Sequence, residues 1–124
     1  WVILFSIILK EGDMTFSGKK CVPCEGGLLP LTKNEAESFM EDIPGWDLSS
    51  DGDKISRRFE FNNFVASLDF VNSLGSLAEE EGHHPDISFG YGYARVEFIT
   101  HAINGLHEND FIMAFKTNML VKEG

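Results

Sequence analysis

The sequence predicts an α+β fold: a four-stranded antiparallel sheet with three helices packed on one face, in the order α-β-β-α-β-β-α. Three observations carry this. Ile55, Arg57, Phe59 and Phe61 alternate with Ser56, Arg58 and Glu60, the period-two pattern of a strand with one buried face. Phe64, Leu68, Val71, Leu74 and Leu77 recur at helical spacing, with Val65 and Ala78 widening the stripe. Two hairpin-like segments each fall between helical ones, and consecutive hairpins between helices call for one antiparallel sheet with helices on one side.

The first helix opens at "LTKNEAESFMEDIPGW". Thr32 is the expected N-cap, with Glu35 three residues on completing a capping box. Phe39, Met40 and Ile43 form its apolar face, and Pro44-Gly45 stops it. The first hairpin turns at "SSDGD", a cluster of turn-forming residues between two short runs. The second helix is capped by Asn62 or Asn63 and closed by Gly82 as the residue after its last turn. The third helix begins near His107 or Glu108, with Phe111, Ile112, Phe115 and Met119 as its apolar side.

With 124 residues the chain has room for one domain with a real core. Hydrophobic content of 43% and eleven phenylalanines argue against disorder. The net charge of −10 repels phosphate backbones, which argues against direct nucleic-acid binding. Residues 1–27 read as an N-terminal arm and 28–124 as the folded domain. The apolar stretch "WVILFSIILK" is about half the ~20 residues a membrane span requires. It lacks a basic segment before it, and Met14 is a plausible start, so the expected protein is cytoplasmic with no membrane association. Cys21 and Cys24 in "KKCVPCEGG" make one CxxC pair, with no second pair to complete a zinc site. Reduced thiols in the arm are the expected state, with shared zinc or a redox role as alternatives.

Three of the four histidines bracket the second hairpin, in "EEEGHHPDISFGYGYARVEFITH". A turn centred on Gly92-Tyr93 would pair residues whose numbers sum to 185. Ile87 then faces Phe98, Phe89 faces Val96 and Tyr91 faces Ala94, one apolar face throughout. In that register His84 lies opposite His101, and His83 sits at the helix-to-strand joint. All three imidazoles are thus expected in one cavity at the open end of the hairpin. Three histidines satisfy the ligand count of a zinc site. Adjacent histidines rarely present nitrogens to a single ion, however, and neutral imidazoles serve as acids and bases near neutral pH without a metal. The metal-free reading is preferred. GxSxG and Walker patterns are absent from the sequence.

Glu79, His83, His84, Pro85, Tyr91, His101 and Asp110 have the identities and spacing of the signature of the pterin-4a-carbinolamine dehydratases, which the chain resembles. "EGHHPDIS", "THAINGL", "ENDFIMA" and "IPGW" resemble bacterial members, over about residues 28–120. The resemblance implies removal of water from 4a-hydroxytetrahydropterin to give quinonoid dihydropterin, in recycling of the pterin used by aromatic amino acid hydroxylases. It implies no cofactor and no metal, a pterin substrate, and a homodimer or homotetramer with a hydroxylase as metabolic neighbour. By the same analogy His83, His84 and His101 are catalytic, with Glu79, Pro85, Trp46 and Asp110 expected to bind substrate. Trp46 has a core role as its alternative, and Asp110 a helix-capping one. The resemblance has three departures: Ile87 stands where animal members carry Trp, Ile99 where a Ser precedes the third histidine by two, and His107 where Ser or Thr is usual. The competing function is a non-enzymatic one on the same fold, as a dimerisation cofactor or an assembly chaperone.

Overall fold

The computed structural model describes residues 29–122. The predicted arm, with Cys21 and Cys24, lies outside the described residues. Helix α1 spans Lys33–Phe39 and continues as a 3-10 turn over Met40–Asp42. Strands β1 (Asp47–Leu48) and β2 (Ile55–Glu60) follow, then α2 (Phe64–Glu81), β3 (Asp86–Gly90), β4 (Tyr93–Phe98), a second 3-10 turn (His101–Ile103) and α3 (Glu108–Lys122). The element order is the expected one. The sheet is antiparallel, with spatial order β1-β2-β4-β3, so α2 carries the chain from β2 past β4 to the far edge.

The local signals act as read. Thr32 Oγ1 accepts from the Glu35 backbone N–H, and Glu35 Oε1 accepts from the Thr32 N–H, so the capping box is closed in both directions. Asn63 caps α2 by accepting from Ala66 N–H at 2.8 Å. All three helices cover the same sheet face. Ile55 and Phe59 of β2 and Ala94, Val96 and Phe98 of β4 are buried against Ala36, Leu74, Phe111 and Met113. Trp46 stands in this core between Phe59 and Phe98, at ring-centroid distances of 6.1 and 5.7 Å. Its indole N–H donates to Asn118 Oδ1, which also accepts from Arg57. Burial lowers the pKa of the Arg57 guanidinium from the usual arginine value, which lies so far above neutrality that the group stays cationic.

Three expectations are corrected. The β3–β4 register sums to 183, not 185: Ile87 pairs with Val96, Phe89 with Ala94 and Gly90 with Tyr93. The turn residues are Tyr91 and Gly92, with Gly92 at φ +80°. A positive φ at the second turn position favours glycine, so the turn settles on Tyr91-Gly92 rather than Gly92-Tyr93. Tyr91 is therefore 74% exposed in the turn and does not face Ala94 in the core. The two-residue shift keeps the side chains within β3 and β4 on their expected faces, but it removes His84 from the position opposite His101. Second, the buried line of α2 is Ser67, Phe70, Leu74 and Ala78, while Phe64 and Val65 are exposed. This helix carries apolar residues around more than half its circumference, and the sheet selects the line whose Phe70 meets Phe59 and Phe61. Third, Met119 is exposed; α3 buries Phe111 and Ile112 as expected, with Met113, Ala114 and Thr117 beside them.

Candidate functional site

Helix α2 ends where its chain must turn back towards the sheet. Gly82 takes a left-handed conformation, φ +71°, and both its N–H and that of His83 donate to the Ala78 carbonyl. The reversal places His83 and His84 between α2 and β3, off the strand and free of strand alternation. Pro85, half-buried, follows and restricts His84 to extended backbone. On the other side of the site β4 runs out at Phe98. Thr100 and Gly105 then pair in an isolated bridge, Thr100 N–H to Gly105 O at 2.9 Å, and the 3-10 turn beginning at His101 fills the loop between them. A side chain at Gly105 would place its Cβ 2.5 Å from that of Pro30, so this close approach requires glycine.

His83, His84 and His101 line one cavity of about 300 Å3, together with Gly82, Thr100 and Asn109. That volume is at the lower end of ligand sites, about 300–1,000 Å3. A larger groove of about 770 Å3 lies elsewhere, between Arg57, Phe59, Phe70 and Leu120, and holds no histidine. The three histidines are in the smaller cavity.

Each of the three histidines has a carboxylate of its own. His83 Nε2 lies 2.6 Å from Asp110 Oδ1, and the pair is nearly out of solvent, with side-chain exposures of 11% and 0%. The His83 ring also stacks on Phe98, 11° from parallel at 6.1 Å. His84 Nε2 lies 2.6 Å from Glu79 Oε2, and both side chains are exposed. His101 Nε2 lies 3.9 Å from Asp86 Oδ2, also at the surface and too long for a hydrogen bond. A carboxylate only accepts hydrogen bonds, so Nε2 is the protonated nitrogen of His83 and of His84. The hydrogen bond of each ring to a carboxylate is made through Nε2, not Nδ1.

Asp110 caps α3 and also holds His83, from just behind the cavity lining. It is the third residue of α3, and its Oδ2 accepts from the His107 backbone N–H at 3.0 Å, half of a capping box. Oδ2 also accepts from Thr100 Oγ1 at 2.7 Å, while Oδ1 holds His83. His107 serves as a cap: its Nδ1 accepts from Asn109 N–H at 3.0 Å. Ile99 lines the cavity, whereas Ile87 pairs with Val96 in the sheet. The acidic last turn of α2 is likewise engaged, Glu79 with His84 and Glu81 with Lys116 of α3 at 2.7 Å.

Trp46 does not line the histidine cavity; it is 6% exposed and held in the core by Phe98 and Asn118. Thr100 and Asn109 do line it and were not among the residues expected from sequence. Their only sequence signal is adjacency, Thr100 to His101 and Asn109 to Asp110. Among the described residues no group of three or more His, Cys, Asp or Glu is arranged to hold a metal ion. No helix among them is long and apolar enough to cross a membrane.

Comparison with known proteins places these features in a family context. Residues 29–120 match the family model described as pterin 4 alpha carbinolamine dehydratase. A protein of Methylococcus capsulatus named "Putative pterin-4-alpha-carbinolamine dehydratase" is 53% identical over 109 residues, 88% of this chain and 96% of its own. The crystal structure of a transcriptional coactivator/pterin dehydratase from Brucella melitensis superposes with a TM-score of 0.70 at 31% identity, covering 73% of this chain and 97% of that one. A pterin dehydratase-like protein described as a RuBisCO assembly factor in the alpha-carboxysome shares the fold, with a TM-score of 0.54 at 24% identity over 64% of this chain and 92% of its own.

Proposed function

The chain belongs to the pterin 4 alpha carbinolamine dehydratase family, and from that premise we propose that it removes water from 4a-hydroxytetrahydropterin by histidine acid–base catalysis. The observation that carries the proposal is the single cavity into which the fold brings His83, His84 and His101. Dehydration breaks the C4a–O bond, and the departing hydroxyl needs a proton. The N5 proton must leave as the C4a=N5 bond forms, which gives quinonoid dihydropterin and water. One acid and one base suffice, each contributing about 10²–10⁴-fold.

In this reading His83 and His84 carry the proton transfers through Nδ1, and His101 orients or protonates the departing hydroxyl. Asp110 and Glu79 hold the rings of His83 and His84 and stabilise them when protonated. Pro85 acts through the backbone of His84. The exposure of His84 and His101 allows both to exchange protons with water between turnovers. No metal takes part, so chelator-treated protein retains its activity. The substrate comes from a pterin-dependent aromatic amino acid hydroxylase.

The direct test generates 4a-hydroxytetrahydropterin with such a hydroxylase and follows its decay spectroscopically. The purified chain accelerates the decay at catalytic concentrations; decay at the spontaneous rate overturns the proposal. A homodimer or homotetramer belongs to the same reading. Phe64 and Phe89 stack at 5.8 Å on the surface beside β3, which is an edge of the sheet. That surface also suits the non-enzymatic alternative, a dimerisation cofactor or assembly chaperone. Full function in cells of a variant without dehydratase activity would favour it.

A further inference from the structure

We propose that Thr100 is a positioning residue of the histidine site, acting on His83 through Asp110; the proposal rests on the dehydratase reading and extends it to a residue outside the histidine signature. The hydroxyl has one geometric role. Thr100 is 4% exposed, and its Oγ1 donates to Asp110 Oδ2 at 2.7 Å. Asp110 Oδ2 is thereby held from two sides, by this hydroxyl and by the His107 N–H. With Oδ2 fixed, the carboxylate plane is fixed, and Oδ1 meets His83 Nε2 at 2.6 Å. A β-branched side chain suits this task because its χ1 is restricted, so the hydroxyl is aimed before Asp110 arrives.

The same residue also sets the loop of the third histidine. Thr100 exchanges backbone hydrogen bonds with Gly105, and its carbonyl accepts from Ile103 N–H at 3.1 Å, closing the turn that begins at His101. The Thr100 backbone thus places His101 while its side chain places His83. Substitutions that keep the backbone and alter only the hydroxyl separate the two roles. Thr100→Val removes the donor at nearly constant shape, leaving Asp110 Oδ2 with the His107 N–H alone. Thr100→Ser keeps the donor and removes only the methyl.

The test combines turnover with nuclear magnetic resonance of the imidazoles on the full chain. In the wild type the His83 Nε2 proton, held on a buried carboxylate, gives a low-field resonance in slow exchange with water. Thr100→Val lowers kcat about tenfold, the loss expected for one hydrogen bond to a charged group. KM stays within about twofold, since ground-state binding is not the role assigned. The His83 resonance moves and exchanges faster, and Thr100→Ser restores both kcat and the resonance. Wild-type kcat and an unchanged His83 signal in Thr100→Val overturn the proposal. So does a Thr100→Ser variant as impaired as Thr100→Val, or a kcat loss that merely follows a fall in Tm. If Thr100→Val does not fold, the wild-type resonance and Thr100→Ser decide: absence of the slow Nε2 proton, or its loss in the serine variant, overturns the proposal. Failure of the reaction assignment is distinguishable, because it appears as an inactive wild type while the His83 resonance still responds to the hydroxyl.

Discussion

Asp110 has no exposed surface, yet a helix cap, a loop hydroxyl and a ring nitrogen all donate to it. Asp110→Asn keeps the shape and replaces one acceptor oxygen with a donor, which faces a group that also donates. The expected outcome is a stability loss of about 1–3 kcal/mol, the cost of a buried donor left unmade. A fall in turnover of about 10²-fold or more accompanies it, within the range of acid–base contributions. Denaturant titration and the decay assay measure the two separately, and unchanged turnover would remove Asp110 from the site. His101 is the opposite case, with a side chain 76% exposed and no core contact to lose. His101→Ala should shift stability by no more than about 0.5 kcal/mol. Its turnover should fall by at least about 10²-fold. A large drop in Tm with activity retained would make this histidine structural.

The elements position the histidines at their ends, not along their lengths. Gly82 is the reversal that turns α2 into the His83-His84 segment, and nothing lies within 4 Å of a Cβ placed on it. Gly82→Ala therefore meets no clash, and its cost is the left-handed backbone alone, about 1–2 kcal/mol. A lower urea midpoint with an unchanged m value would show this. A gain in stability would mean that the reversal is not needed. The Glu81–Lys116 pair, with Glu81 only 3% exposed, ties the same helix end to α3, the helix that carries Asp110. The two halves of the His83–Asp110 pair are thus brought together by helix packing as well as by their own hydrogen bond.

For the whole molecule, the sheet has two edges, β1 and β3, and the apolar pair Phe64–Phe89 lies beside the second. Phe64 and Phe89 are 44% and 36% exposed, with Val65 and Tyr91 more so. An exposed apolar cluster beside a free strand edge is a place for another chain to pair. Self-association through it is the expected outcome, and Phe64→Asp should shift the sedimentation equilibrium towards monomer while leaving the monomer folded. An unchanged mass distribution would place any oligomer contact elsewhere.

The sequence by itself determined the elements, their order and the faces of the strands, because these follow from short-range periodicity and from caps such as Thr32, Asn63 and Gly82. It also held the site residues, since Glu79, His83, His84, His101 and Asp110 carry the family signature in their spacing. The β3–β4 register could not be read there: sums of 183 and 185 place the same residues on the same faces, and an even shift leaves the hydrophobic pattern unchanged. The backbone of the Tyr91-Gly92 turn and the pairing of β4 with β2 chose between them. The buried line of α2 was undetermined for a similar reason, as a helix apolar on more than one side has no unique inward face until a sheet is laid against it. The pairings of Asp110 with Thr100 and His83 were decided by tertiary structure. They join α3 to the loops that follow α2 and β4, and side-chain hydrogen bonds of this kind depend on distances of a few tenths of an ångström that no spacing in the chain encodes.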